Sequence, residues 1–301
     1  MVLTAMMIDL AVGDPPAKLH PVSWIGHLYA RGRHRLLRPA PRWRLLVRGG
    51  ALTMGVALLA AAVSLAVAWW AGHLGAIGVL VEAMALKCVL ALRGLARAAH
   101  QVRRALEAND LVAARNTVGV HLVSRPVANL GRSGVASAAI ESVAENLTDA
   151  LVAPLCFFAL GGLAGAVAYR AINTADAMIG YREGALEHFG KVAARVDDVL
   201  NFVPARLAAL ALVLGVTLSG HDARGAFTAM WRDHGRTASP NAGWTMAAMA
   251  GGLGVVLEKP GAYRLGSGRE AAPSDIARAV VITILAALIV SVFIIAVLSV
   301  I

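Results

Sequence analysis

Lysine, cysteine and acidic residues are all scarce in this chain. Only four of the 28 basic residues are lysine (Lys18, Lys87, Lys191, Lys259), and the 18 Asp and Glu leave a formal net charge of +10. The two cysteines, Cys88 and Cys156, lie inside apolar runs with no CxxC or Cys/His spacing, which excludes a disulfide framework and a zinc site. They read as small buried hydrophobes. No basic stripe with interleaved aromatics is present, so nucleic acid is not an expected partner. Common catalytic signatures are also missing: there is no HExxH, no GxSxG and no GxGxxG after a strand. The closest approach to a phosphate loop, Gly184 to Gly190-Lys191, has one residue too many between its glycines and lacks the Ser/Thr that would hold magnesium.

What is abundant is apolar sequence. The chain is 58% hydrophobic and 15% charged, whereas a soluble domain has roughly 45–50% apolar and about 25% charged residues. This is the composition of an integral membrane protein. The expected fold is all-α and polytopic, a single membrane domain over 1–301 with about four to six crossing or re-entrant helices.

The first helix should end at Gly13-Asp14-Pro15-Pro16, because prolines cannot continue it. From Arg31 to Arg48 there are seven arginines and no acid, which makes this loop cytoplasmic by the positive-inside rule. Residues 49–70 carry no charge and end in Trp69-Trp70, an interface belt; 74–92 and 279–301 are read as two further spans. Between them, 95–146 is a polar, amphipathic helical segment with a break at Asn109-Asp110. Three more runs, 150–169, 203–219 and 243–257, are expected as spans or re-entrant helices. Pro154 and Gly161-Gly162 interrupt the first of these. If it crosses, the polar block 170–206 lies opposite residues 141–149; if it is re-entrant, both lie on one side.

Glu141, Glu145 and Asp149 follow one another at i, i+4 and i+8, which places three carboxylates on one helix face. Like charges at that spacing destabilise a helix, so a cation should face them. Eight of the 18 acidic residues lie between 141 and 198, among arginines and with Asn146, Asn173 and Asn201. Carboxylates with amide oxygens suit a hard cation such as Mg²⁺, and arginines clamp phosphate bidentately. The pattern points to phosphorylated, anionic substrates. An ion-pair-rich transporter core for an anionic substrate would look similar, although no internal repeat relates 49–92 to 243–301.

These residues fall into motifs that resemble the adenosylcobinamide-phosphate synthase family of cobalamin biosynthesis. The motifs are Asp9-Leu-Ala-Val-Gly-Asp14-Pro-Pro with His20-Pro-Val, and Glu141-Ser-Val-Ala-Glu145-Asn146-Leu-Thr-Asp149 with Val-Ala-Pro154. The likeness continues through Tyr169-Arg170-Ala-Ile-Asn173-Thr-Ala-Asp176, Gly180-Tyr-Arg182, Arg195-Val-Asp197-Asp198-Val-Leu-Asn201, Pro204-Ala-Arg206 and Ser239-Pro-Asn241-Ala-Gly-Trp244. It spans most of the chain in order. At one point the chain departs from the family pattern: Arg125 is followed by Pro126 where an acidic residue is expected, which leaves that loop without an implied role.

The resemblance implies a multi-pass enzyme of the inner (cytoplasmic) membrane. It would join adenosylcobyric acid to (R)-1-aminopropan-2-ol phosphate, or to free aminopropanol, using ATP and Mg²⁺. Glu141, Glu145, Asp149 and Asp176 would be catalytic and, with Asp197 and Asp198, would hold the metal. Asp14, His20, Asn146, Arg170, Asn173, Arg182, Arg195, Asn201, Arg206 and Asn241 would bind substrate. Membrane lipid is an expected partner, and self-association or a complex with other corrinoid-pathway enzymes is left open. The arginines of 170–206, or magnesium, are the expected counter-charge to the 141–149 stripe.

Overall fold

The computed structural model describes residues 1–300. In chain order its helices are α1 (Val2–Val12), α2 (Pro21–Leu36), α3 (Arg42–Ala71), α4 (Ala76–Lys87), α5 (Leu92–Glu107), α6 (Leu111–His121), α7 (Arg132–Leu147), α8 (Ala153–Ile179), α9 (Leu186–Phe189), α10 (Lys191–Leu200), α11 (Phe202–Leu218), α12 (Ala223–Asp233), α13 (Ala242–Leu253) and α14 (Pro273–Leu298). Strands β1 (Val255–Lys259), β2 (Tyr263–Leu265) and β3 (Arg269–Glu270) lie between α13 and α14. By length and composition, α3, the run from α7 through α8, and α14 can cross a membrane, as can α10 with α11 if that pair, bent by 49°, counts as one span. The protein is an all-α polytopic membrane protein with one small sheet.

The chain forms two compact units. The first comprises residues 1–91 and 153–201 with the chain's end; the second comprises 92–152 and 202–296.

In the first unit, the 30 residues of α3 rise about 45 Å. Its buried face packs with α2, α8, α9 and α10 around Tyr29, Leu45, Val56, Ile172, Ile179 and Phe189. Gly49 lets α3 meet the carbonyl of Phe189, since a Cβ there would overlap that oxygen. The 74–92 segment is shorter than expected: α4 has only 12 residues and stops at Lys87, about 18 Å of helix against about 30 Å of hydrocarbon. The helix α8 is two pieces. At Gly161 and Gly162 the backbone leaves helical geometry, Gly162 with φ 58°. The Phe157 and Tyr169 rings then stack at 5.1 Å, although twelve residues of straight helix would separate them by about 18 Å. The chain therefore turns back at the glycine pair and does not run straight through 150–169.

In the second unit, α7 passes into a π-helical turn over Thr148–Val152 before α8 begins. Pro154 accounts for it: the ring has no N–H to give to the carbonyl of residue 150, and the widened turn absorbs the mismatch. Helix α13 is buried from Gly243 to Leu253 and ends at Gly254 in the left-handed region. The 243–257 run is thus a 12-residue core helix followed by strand, not a helix through 257; an all-round apolar surface is what a helix enclosed by protein requires. The sheet order is β2-β1-β3, with β1 antiparallel to β2 and parallel to β3. Two buried carboxylates fasten this region. Asp233 accepts from Arg232 and from the Gly266 N–H, and Asp275 accepts from Arg269, Arg278 and the Ala272 N–H. Burial pushes the Asp233 carboxyl up, but the Arg232 and Gly266 hydrogen bonds and the Arg232 and Arg236 charges outweigh it and leave it below the ordinary value.

Candidate active site

Glu141, on the third turn of α7, is 4% exposed. Each of its oxygens is engaged. The Ser137 hydroxyl, one turn earlier, donates to Oε1 at 2.7 Å; Arg125 Nη2 and the Tyr263 hydroxyl donate to Oε2 at 3.0 and 2.7 Å. Ser137 Oγ in turn accepts from the Glu258 N–H of β1, which sets the sheet against α7. Three separate segments therefore meet on one carboxylate: the loop between α6 and α7, helix α7, and strand β2. Burial, and then the charge of Glu141, hold the Tyr263 phenol well above its ordinary range, so it stays a donor.

Arg125, Glu141 and Tyr263 form one wall of a cavity of about 290 Å³ within the second unit. Ser124, Ser142, Glu145, Thr237, Ser239 and Lys259 supply its other polar groups, and Leu122, Val123, Ala242 and Met246 apolar ones. Arg125 is the decisive residue. Its Nη2 is bonded to Glu141, while its buried Nε and Nη1 have no hydrogen-bond partner among the described residues. A buried donor without an acceptor costs about 1–3 kcal/mol, and more when charged, so these two nitrogens are donors that a ligand oxygen would satisfy. Lys259 adds a second cation on the same cavity, with no ion-pair partner among the described residues.

The structure treats the 141–149 stripe unevenly. Glu141 is buried and paired, and Glu145 is exposed and lines the cavity. Asp149, in the π-turn, is half-buried and is not among the lining residues. The amide of Asn146 donates to the Ser142 carbonyl, and Ser142 Oγ donates to the carbonyl of Leu122 at the cavity edge. Asn241 accepts from Arg206, whose guanidinium lies 3.6 Å from the Phe202 ring centre and 4.8 Å from that of Trp244. The counter-charge on Glu141 is Arg125 and not an arginine of 170–206. The loop after α6 folds back over the start of α7, and no helical periodicity in the sequence signals that.

The remaining expected residues belong to the first unit and form their own networks. Lys87, 1% exposed, donates to Asp14 Oδ1 at 3.0 Å, with His20 Nε2 at 3.6 Å from the same oxygen. His20 Nδ1 accepts from the Val22 N–H as the N-cap of α2, so its proton sits on Nε2, facing Asp14. The His20 hydrogen bond first, then Lys87, hold the Asp14 carboxyl down to about 2 against the effect of burial. A second chain runs from the Tyr169 hydroxyl to Asn201, and from Asn201 and Asn173 to the two oxygens of Asp197, with Arg170 donating to Asn173. Each oxygen of Asp197 thus accepts from one amide of the same unit. Asp176 curls over Gly180, where a Cβ would overlap its Oδ1. Arg195 stands 4.0 Å from Asp198 and is 70% exposed, and Arg182 is exposed.

Over residues 2–297 the sequence matches the family described as CobD/Cbib protein. The chain belongs to the CobD/Cbib family. It is 40% identical over 264 residues to the cobalamin biosynthesis protein CobD of Dehalococcoides mccartyi, covering 88% of this chain and 85% of that one. It is 42% identical over 290 residues to the protein of that name from Chromobacterium violaceum, covering 92% and 89%. A probable cobalamin biosynthesis protein CobD of Pyrococcus abyssi is 42% identical over 277 residues, covering 91% and 88%. No solved structure matches the chain. The role carried by CobD/Cbib membership is cobalamin biosynthesis.

For this CobD/Cbib member, the residues that sequence reasoning missed are Arg125, Lys259 and Tyr263. A signal for the last two exists: Lys259-Pro-Gly-Ala-Tyr263 between alternating segments is a hairpin pattern. Magnesium fits the cavity only in part. Among the described residues no three His, Cys, Asp or Glu side chains converge to hold a metal, and Glu141 is already neutralised by Arg125. Mg²⁺ is commonly held by one or two carboxylates together with substrate phosphates, and Glu145 on the cavity wall suits that arrangement.

Proposed function

We propose that this protein forms the amide bond between a propionate side chain of adenosylcobyric acid and (R)-1-aminopropan-2-ol phosphate, at the expense of ATP, in the cytoplasmic membrane. The observation that carries the reading is the pair of unpartnered, buried nitrogens on Arg125, in a cavity shared with Lys259 and five hydroxyl residues. A guanidinium offers phosphate two parallel hydrogen bonds, and an ammonium offers a point charge. Glu141 and Tyr263 position Arg125 so that its free edge faces the ligand. Magnesium, held by Glu145 and the phosphates, would supply charge neutralisation.

A carboxylate is a poor electrophile, so the propionate first takes the terminal phosphoryl group of ATP, releasing ADP. The amine then attacks the acyl carbon, the C–N bond forms, the C–O bond to phosphate breaks, and inorganic phosphate leaves. Glu145 takes the proton from the attacking nitrogen, and Arg125 and Lys259 hold the phosphate charge as it moves. About 290 Å³ accommodates a small amino-alcohol phosphate and the end of a propionate arm, so the macrocycle presents that arm from outside. Purified protein incubated with adenosylcobyric acid, the amine phosphate, ATP and Mg²⁺ should yield the amide by mass with one ADP per amide. No amide, or amide without ADP, overturns the proposal.

A further inference from the structure

The corner between α2 and α3 carries a charge that nothing among the described residues answers. Residues 15–81 contain no Asp or Glu, yet hold Arg31, Arg33, Arg35, Arg38, Arg42, Arg44 and Arg48. Six of these arginines are exposed, and Arg48 is half-buried. None of the seven has an ion-pair partner among the described residues.

Their depth is fixed by α3. From Gly49 to Trp70 the helix is uncharged and rises about 33 Å, which matches about 30 Å of hydrocarbon. Arg48, Arg44 and Arg42 therefore stand within about 10 Å of its edge, and the headgroup layer there is about 5–8 Å thick. Trp43, Leu46 and Val47 are exposed among them, and Arg44 lies 5.1 Å from the Trp43 ring centre. An indole at that level is an interface anchor. Soluble anions would account for the guanidiniums, but not for the apolar side chains interleaved with them.

We propose that this corner is a binding surface for anionic phospholipid, whose phosphate headgroups lie against Arg42, Arg44 and Arg48 and whose acyl chains run beside Leu46 and Val47, with the α2 arginines extending the cationic surface. Each arginine at a membrane surface contributes about fivefold in affinity, so three together contribute on the order of 100-fold.

The test uses the whole protein in nanodiscs of equal phosphatidylglycerol and phosphatidylcholine, with retained lipid read by native mass spectrometry after detergent release. The wild type should retain phosphatidylglycerol preferentially, and R42K/R44K/R48K should do the same. The R42Q/R44Q/R48Q variant should lose the preference by on the order of 100-fold, and 0.5 M salt should weaken it in the wild type. Equal retention of both lipids by the wild type overturns the proposal, as does displacement of phosphatidylglycerol by millimolar ATP or inorganic phosphate. The wild-type comparison decides the matter even if the glutamine variant does not fold.

Discussion

Arg125 Nη2 lies 3.0 Å from Glu141 Oε2, with the two side chains 15% and 5% exposed. This one ion pair satisfies a buried carboxylate on a helix and leaves the Nε and Nη1 of the guanidinium buried without a hydrogen-bond partner among the described residues.

Replacing Arg125 therefore has two separable effects. Arg125→Gln leaves Glu141 buried without its charge partner and should lower stability by roughly 3–5 kcal/mol. Arg125→Lys keeps the charge but loses the fork, so the protein should remain folded in detergent while KM for the phosphorylated amine rises at least tenfold. Thermal unfolding and steady-state kinetics on the two variants separate the effects; an unchanged KM for Arg125→Lys would remove the residue from substrate binding.

Tyr263→Phe deletes one donor to a charged acceptor and should cost about 1.5–3 kcal/mol while leaving the helices intact by circular dichroism. Because burial and Glu141 hold its phenol above the ordinary value, tyrosinate absorbance from Tyr263 should be absent at pH 10. Wild type and Tyr263→Phe should give matching difference spectra at that pH.

Glu145→Gln removes the base proposed to accept the amine proton. Turnover should fall by 10²–10⁴-fold, the usual range for general base catalysis, and the Mg²⁺ concentration needed for half-maximal turnover should rise, since the same carboxylate would help hold the metal. Turnover near the wild-type value would exclude Glu145 from proton transfer.

Asp14 provides a pH signature. Its carboxyl is held down to about 2 in the folded protein, from an ordinary 3.8. A depressed carboxyl binds fewer protons folded than unfolded between those values, so its stabilising contribution is complete above about pH 4–5 and is lost as pH falls towards 2. Melting temperatures of wild type and Asp14→Asn should differ by a constant amount from pH 7 to 5. They should converge as pH drops below 4.

Gly162 sits at φ 58° where the chain turns back. Gly162→Ala should cost about 1–3 kcal/mol, because φ 58° with ψ −153° is a backbone region essentially reserved for glycine. Since nothing lies within 4 Å of where that Cβ would point, the loss is conformational, and cavity-filling elsewhere would not rescue it.

Composition alone determines that this is a helical membrane protein, and uninterrupted apolar runs locate α3 and α14, although Arg42, Arg44 and Arg48, and Asp275 and Arg278, belong to opening turns that begin seven and six residues before those runs. The turn-breaking pair at 161–162 and the break at Asn109-Asp110, where Asp110 caps α6 by accepting from the Ala113 N–H, are legible because each is a local rule carried by one or two residues. Arg125, Lys259 and Tyr263 escape because they reach Glu141 and its cavity across 16 to 122 positions of sequence, and neither a coil between helices nor a three-residue strand carries periodicity. Glu141 and Asp197 look alike in sequence, as acids in a polar motif. One proves to be held by an arginine beside a cavity and the other by two amides in a closed network.

That network has a consequence for how the chain enters the bilayer. Asp197, Asn173, Asn201 and Tyr169 satisfy one another only when α8 and α10 are side by side, and hydrocarbon offers no substitute acceptors or donors. Tyr169 therefore meets its acceptor only after a residue 32 positions further on has been synthesised, so the polar face of α8 closes late, when α10 arrives.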